Sequence, residues 1–216
     1  MRVALPLMLI AVAGCASDDE VDFPAILSPL EESQAPAPTG AGPTPELISV
    51  VSGGDSELWW AHGTAYVHGA PDAVWAAAKQ IEVCVDRREV TSWTATPDVV
   101  AEFDASYAIH NRVEDIIAIE YDVTWVHELQ AGSADAPELV VAQWEKTDGT
   151  PFIDLLQGSV VLRAVDDAPE VTALEIVAQL KAPQRDDATM VAYVEDFYAD
   201  LVATVHGEPL PVFDAE

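Results

Sequence analysis

Residues 188–207 read ATMVAYVEDFYADLVATVHG. Met190, Val191, Val194, Phe197, Tyr198, Leu201, Val202 and Val205 recur at steps of three and four, the period of one helical face. Glu195, Asp196 and Asp200 fall on the opposite side and are expected to face water. Asp186 and Asp187 precede the run and suit the positive end of a helix. Gly207 is a natural stop, with Pro209 behind it. A long helix with one apolar stripe needs an apolar surface to cover it, and the segments before it supply a sheet.

Period two governs those segments. In SYAIHNRVED (106–115), Tyr107, Ile109, Asn111 and Val113 alternate with His110 and Arg112. In IIAIEYDVTWVHEL (116–129), Ile117, Ile119, Tyr121, Val123, Trp125 and His127 share one face, and Glu120, Asp122 and Thr124 the other. Both read as antiparallel strands with one buried face. His110 and Arg112 would then meet Glu120 and Asp122 on the outer face. LVVAQWEK (139–146) is a further strand, and Thr147-Asp148-Gly149 signals a hairpin turn. FIDLLQGSVVLRAV (152–165) follows, where Gly158 in mid-strand suggests a bulge or a bend. VTALEIVAQLKAP (171–183) turns Leu174, Ile176, Ala178 and Leu180 inward.

Ahead of these lies LWWAHGTAYVHG (58–69), a strand broken by Gly69-Ala70-Pro71. His62 and His68 share one of its faces and are expected to be exposed. Pro71 opens a helix, PDAVWAAAKQI, with Val74, Trp75, Ala78 and Ile81 on one side. Residues 84–104 are ambiguous: a second short helix, then loop and strand fragments.

The amino terminus carries a different message. Met1-Arg2 precedes an apolar run from Val3 to Ala13, the length of a secretory h-region and too short to span a bilayer. Val12-Ala13-Gly14-Cys15 resembles a bacterial lipobox. That resemblance implies cleavage after residue 14 and acylation of Cys15, and two or more acyl chains make a stable anchor. The organisation expected is a signal peptide over 1–14, a proline-rich acidic linker over 15–47 and a folded domain over 48–216. The linker shows no apolar periodicity beyond FPAIL, so its removal should leave the domain's stability unchanged. Ala16 follows the cysteine where some bacteria place an aspartate for inner-membrane retention, which favours the outer membrane of a bacterial envelope.

There are 38 acidic residues against nine Lys and Arg, a net charge of −29. No Lys or Arg occurs from Val3 to Ala78. Such a chain is repelled by nucleic-acid phosphates, which excludes that class of partner. No calcium loop or zinc-ligand spacing is present, and no cofactor or metal is expected. With Cys15 acylated, Cys84 is left without a disulfide partner; in QIEVCVDR it reads as a buried, inert thiol.

Strand, helices, several antiparallel strands and a long helix, in that order, resemble the helix-grip superfamily, the START and polyketide-cyclase group also called SRPBCC. The segments that carry the resemblance are AYVHGAPDAVWAAA, QGSVVLRAVDDAPEVTALEIVAQL and the helix ending in HGEPLP, within residues 58–210. It implies an α+β fold, a curved antiparallel sheet wrapped around the C-terminal helix. Between them it implies a mostly apolar cavity for a lipid, a polyketide or another hydrophobic small molecule.

Candidate pocket residues are Tyr107, Asn111, Tyr121, Trp125 and His127 on the inner sheet face, and Phe197 and Tyr198 on the helix. No catalytic motif survives: HELQA at His127 lacks the second histidine of a zinc helix, and GSVV is not a nucleophile elbow. The reading this favours is a membrane-anchored lipoprotein that binds a hydrophobic ligand, with no protein partner indicated. A cyclase-like enzyme using His127 or a tyrosine, and a structural lipoprotein with a filled core, stay open. A cavity of ~300 Å³ or more separates binding from a filled core.

Overall fold

A computed structural model describes residues 23–55, 57–114, 118–183 and 185–213. The leader, Cys15 and Ile117 lie outside them. Eight strands form one antiparallel sheet: β1 (Ile48–Gly54), β2 (Trp59–Val67), β3 (Ser92–Pro97), β4 (Ala105–Glu114), β5 (Ala118–Ser133), β6 (Ala136–Gly149), β7 (Leu155–Val165) and β8 (Ala168–Lys181). Their order is β1-β2-β8-β7-β6-β5-β4-β3. Helices α1 (Pro71–Ala78) and α2 (Ile81–Cys84) fill the connection from β2 to β3, and α3 (Asp187–His206) closes the chain. The curved sheet grips α3, which packs on β1, β2 and β8 and against α1 and α2. This is the α+β helix-grip architecture.

Local chemistry fixes the ends of α3. The Asp186 side chain accepts the N–H of Thr189, and Gly207 ends the helix in the left-handed conformation at φ 67°. The stripe from Met190 to Leu201 meets the inner sheet face, where Leu174, Ile176, Ala178 and Leu180 are buried as their alternation requires. Asp196 and Asp200, expected in water, are instead buried. Arg88 chelates Asp196 with both contacts at 3.0 Å. Arg87 holds Asp200 at 2.9 and 2.6 Å and also donates to the carbonyl of Pro211 at 2.8 Å. Two adjacent arginines after α2 thus satisfy two carboxylates that a simple amphipathic reading places outside.

Other departures are local. Strand β1 carries no strong alternation and is absent from the sequence expectation. β6 runs through Asp148 and Gly149, which pair with Asp122 and Tyr121, so the chain reverses at 150–154 and not at 147–149. Gly149 serves a close approach there: a Cβ would sit 2.4 Å from the Tyr121 Cα. Gly158 marks no bulge, because its pairing with Trp144 and Ala178 is continuous. Its missing side chain makes room for the Trp144 indole, which a Cβ would meet at 1.9 Å.

Residues 23–47 differ most from expectation. They form a strap without regular structure up to 47, laid across the outer face of the sheet. The crossing runs strand by strand. Leu27 N–H donates to Glu128 on β5 at 2.7 Å, and Gln143 on β6 donates to the Ser28 carbonyl. Leu30 N–H donates to Ser159 on β7 at 3.0 Å, and Gln179 on β8 donates to Glu31 at 2.8 Å. Gln34 N–H donates to Nδ1 of His62 on β2 at 3.0 Å. Five strands at ~4.8 Å spacing span about 19 Å, within reach of seven extended residues. Leu27, 2% exposed, caps an outer apolar cluster of Val126, Val141 and Val161.

His62 is therefore fully buried and not exposed, whereas His68 remains exposed. Because Nδ1 of His62 accepts from Gln34, Nε2 carries the proton and donates to Glu31 at 3.1 Å. On the uncovered part of the outer face, His110 meets Asp122 at 2.6 Å and Arg112 pairs with Glu120, as the alternation predicts.

Candidate functional site

The strand alternation that buries the core also builds a gap in it. A cavity of about 850 Å³ lies between the inner sheet face and the first turns of α3. Ile109, Asn111 and Val113 of β4 and Ile119, Tyr121, Val123 and Trp125 of β5 form one wall. Trp144 of β6, Leu156 of β7 and Leu180 of β8 continue it. Met190 and Tyr193 of α3 close the far side, and Phe152 and Ile153 of the β6–β7 loop reach over it. Asp86, Arg88 and Glu89 after α2, with Arg185 before α3, add charge to the lining.

Apolar packing defines most of the walls. Trp125 stacks on Trp144 with centroids 4.5 Å apart and planes at 17°. Gly158 permits this stack by leaving the space that the Trp144 ring occupies. Polar groups are few. Asn111 donates to the carbonyl of Ile109 at 3.1 Å. Burial raises the Tyr121 phenol above its ordinary range, and the negative charges of Asp86 and Glu89 act the same way. Burial, with repulsion from Glu89 and Asp196, lifts Asp86 to about 6 against backbone N–H bonds that favour its anion. Arg185 is bidentate on Glu89, at 3.0 and 2.7 Å.

Of the residues expected in a pocket, Asn111, Tyr121 and Trp125 line this cavity. Tyr107, His127, Phe197 and Tyr198 do not. Phe197 lies in the closed core, nearly parallel to Trp125 at a centroid distance of 6.2 Å. Tyr198 turns to β2, where its hydroxyl donates to the Tyr66 carbonyl at 2.9 Å.

Tyr107 and His127 belong to a buried hydrogen-bond chain. The Tyr107 hydroxyl lies 3.0 Å from His127 Nε2 and 3.1 Å from the Cys84 Sγ. Burial pushes the Cys84 thiol up to about 12, which keeps it protonated. Burial, helped by the positive charge of Lys79, pulls His127 down to about 3, which keeps it neutral. The chain can run in either hydrogen-bond direction, but it leaves the buried Nδ1 of His127 without a partner among the described residues. Only Cys84 of the three borders the cavity, so the chain is a structural wall element.

Sequence reasoning misses Tyr193, Trp144, Leu156, Ile153 and the charged group at 86–89. Tyr193 lies on the helical stripe, three residues after Met190 and four before Phe197, and that spacing could have found it. The run DRRE directly after IEVCV was also a signal, because charges beside a buried helix end face either water or a cavity mouth.

No family model and no curated protein matches this sequence. Solved structures match in shape. Human StAR-related lipid transfer protein 5 superposes with a TM-score of 0.50 at 11% identity, over 76% of this chain and 84% of that one. The lipid transfer and protein localization domain of human StarD13 (DLC2) gives 0.49 at 8% identity, over 78% and 87%. The Zhui aromatase/cyclase from Streptomyces sp. R1128 gives 0.44 at 14% identity, over 69% and 92%. At such identities the likeness is one of fold, the helix-grip fold that the topology defines.

Proposed function

We propose that this domain binds a hydrophobic small molecule or lipid between its sheet and α3. The observation that carries this reading is the cavity of about 850 Å³, within the ~300–1,000 Å³ range of ligand sites and nearly three times the threshold set against a filled core. Its walls are mainly aliphatic and aromatic, with a few placed polar groups, which is the usual composition of a small-molecule site. The structural neighbour with a TM-score of 0.50 is by its name a lipid transfer protein, which is consistent with the same use of the fold.

The expected test result is saturable binding of a neutral apolar fluorophore, N-phenyl-1-naphthylamine, at one site per chain. A neutral probe avoids the repulsion that a chain of net charge −29 exerts on anionic dyes. Absence of binding would overturn the reading.

The second part of the proposal is the anchor. Cys15 of the lipobox-like motif carries acyl chains and holds the domain at a bacterial envelope membrane, the outer membrane by the residue at position 16. Phe23 already packs edge-on against Phe103 at 6.3 Å. Seven residues separate it from Cys15, so the tether reaches at most ~28 Å and the domain sits close to the lipid surface. Metabolic labelling with a fatty-acid analogue should mark the wild type and not Cys15→Ser; label retained in the variant removes the anchor.

A further inference from the structure

Two polar groups of the cavity wall have no partner among the described residues. Tyr121 is 7% exposed and lines the cavity, and its hydroxyl makes no hydrogen bond among the described residues. Trp125, 1% exposed in the same wall, has a buried indole N–H without an acceptor among the described residues. The indole N–H needs an acceptor and the Tyr121 hydroxyl can donate or accept, so these two groups do not set the sign of an occupant's charge.

Asp86 supplies the charge. Its Oδ1 accepts the N–H groups of Arg88 and Glu89 at 3.1 and 3.3 Å, and it enters no ion pair among the described residues. The two arginines of the lining are engaged elsewhere, Arg88 with Asp196 and Arg185 with Glu89. The charges that act on Asp86 are Glu89 on its own loop and Asp196 on α3, both negative, while the positive Arg185 before α3 and the phenols of Tyr121 and Tyr193 lie near enough to sense its charge. Asp86 is thus a carboxylate of the cavity wall with no contacting cation among the described residues, since Arg185, which senses its charge, is bidentate on Glu89.

Aromatic rings share the cavity with it. Tyr121, Trp125, Trp144 and Tyr193 all line the cavity, and aromatic faces attract cations, quaternary ammonium groups above all. Anions fare badly here: a ligand carboxylate would meet Asp86, Glu89 and the field of a chain of net charge −29. A neutral alcohol would match Tyr121 but leave Asp86 without a counter-charge.

Resting on the reading that the cavity takes a ligand, we propose that its occupant is an amphiphile with an alkylammonium head. The head lies against Asp86 and the aromatic wall, and the tail lies between the sheet and α3.

Three probes of equal chain length decide this: decyltrimethylammonium, 1-decanol and decanoate, each below its micelle-forming concentration. Titration calorimetry of the purified protein at pH 8 and about 0.5 M salt screens the general surface charge. The ammonium probe is expected to bind about tenfold more tightly than decanol, the scale of one charge-assisted contact, with decanoate weakest. Asp86→Asn keeps the Oδ1 that accepts the two backbone N–H groups. It should lower ammonium affinity about tenfold and leave decanol unchanged. Decanol or decanoate binding as tightly as the ammonium probe overturns the proposal while leaving the ligand cavity intact. An unchanged ammonium preference in a folded Asp86→Asn variant also overturns it. If none of the three binds, the cavity reading itself fails. Should Asp86→Asn not fold, the wild-type order alone decides.

Discussion

The backbone N–H of Leu27 donates to the carboxylate of Glu128 at 2.7 Å, joining residues 101 positions apart. That bond begins the strap across the outer sheet face, and the Leu27 side chain below it completes a small second core with Val126, Val141 and Val161. A chain starting at Glu46 loses both. It should be less stable than one starting at Val21. Leu27→Ala alone should cost ~2–4 kcal/mol, the usual range for a buried leucine. Urea denaturation of the three proteins checks this; equal midpoints would mean the strap contributes nothing.

The inner half of the fold is legible because its signals are periodic. Tyr107 to Val113, Tyr121 to His127 and Leu174 to Leu180 alternate cleanly, and the stripe from Met190 to Leu201 repeats at helical spacing. The outer half was legible only in part. Val140-Val141-Ala142, Val160-Val161-Leu162 and Ile176-Val177-Ala178 are apolar on both faces, the mark of strands covered on both sides. The cover itself has no period, because the strap is held largely through its own N–H and C=O groups, and any sequence supplies those. The cavity is harder still. Missing atoms leave no pattern: Tyr193 and Phe197 are one helical turn apart on α3, yet only the first borders empty space. Asp196 and Asp200 mislead for a related reason, since their arginine partners lie more than 100 residues away.

Gly158 and Trp144 form a size-matched pair across β7 and β6. A Cβ at 158 would overlap the indole at 1.9 Å, on a ring already stacked against Trp125. Gly158→Ala should therefore destabilise by ~1–3 kcal/mol, as overpacking does. Trp144→Leu in the same chain should recover part of that loss, which a double-mutant cycle measures. Additive effects would mean the two positions do not share the space.

His127 makes stability depend on pH. Its folded value, held near 3 by burial and by Lys79, lies below the ordinary value of 6.5. The folded state therefore binds fewer protons than the unfolded state between those limits. The contribution is fully present above pH 6.5 and is lost as pH falls toward 3, by at most ~1.4 kcal/mol per pH unit. His127→Gln should flatten the stability profile between pH 6.5 and 4 relative to wild type, whatever its stability at pH 7. Parallel profiles would mean the imidazole is protonated in the fold.

Asp86 acts in the opposite sense. Burial and its acidic neighbours lift it to about 6 from 3.8, so its ionisation in the fold is a cost absent below pH 4 and complete above pH 6. Asp86→Asn should be more stable than wild type at pH 8 by ~1–2 kcal/mol and should lose that advantage at pH 4. Thermal melts at both values check the sign, and a carbon-detected titration of the Asp86 carboxyl should show a midpoint near 6.

The cavity and the core beside it should respond to mutation in opposite ways. Phe197 is 2% exposed and packed on Trp125 and Tyr193 outside the cavity lining, so Phe197→Ala should cost ~3–5 kcal/mol, a core-sized loss. Leu156 borders the empty space instead. An enlarged side chain there displaces no neighbour, and it gains dispersion contacts that the empty wall lacks. Leu156→Trp is therefore expected to leave stability unchanged or raise it, while reducing N-phenyl-1-naphthylamine binding at least tenfold, the scale of ~1.4 kcal/mol. Chemical denaturation and probe titration on the same two variants separate the effects. If Leu156→Trp costs as much stability as Phe197→Ala, the space is already filled in solution and the domain is a closed core.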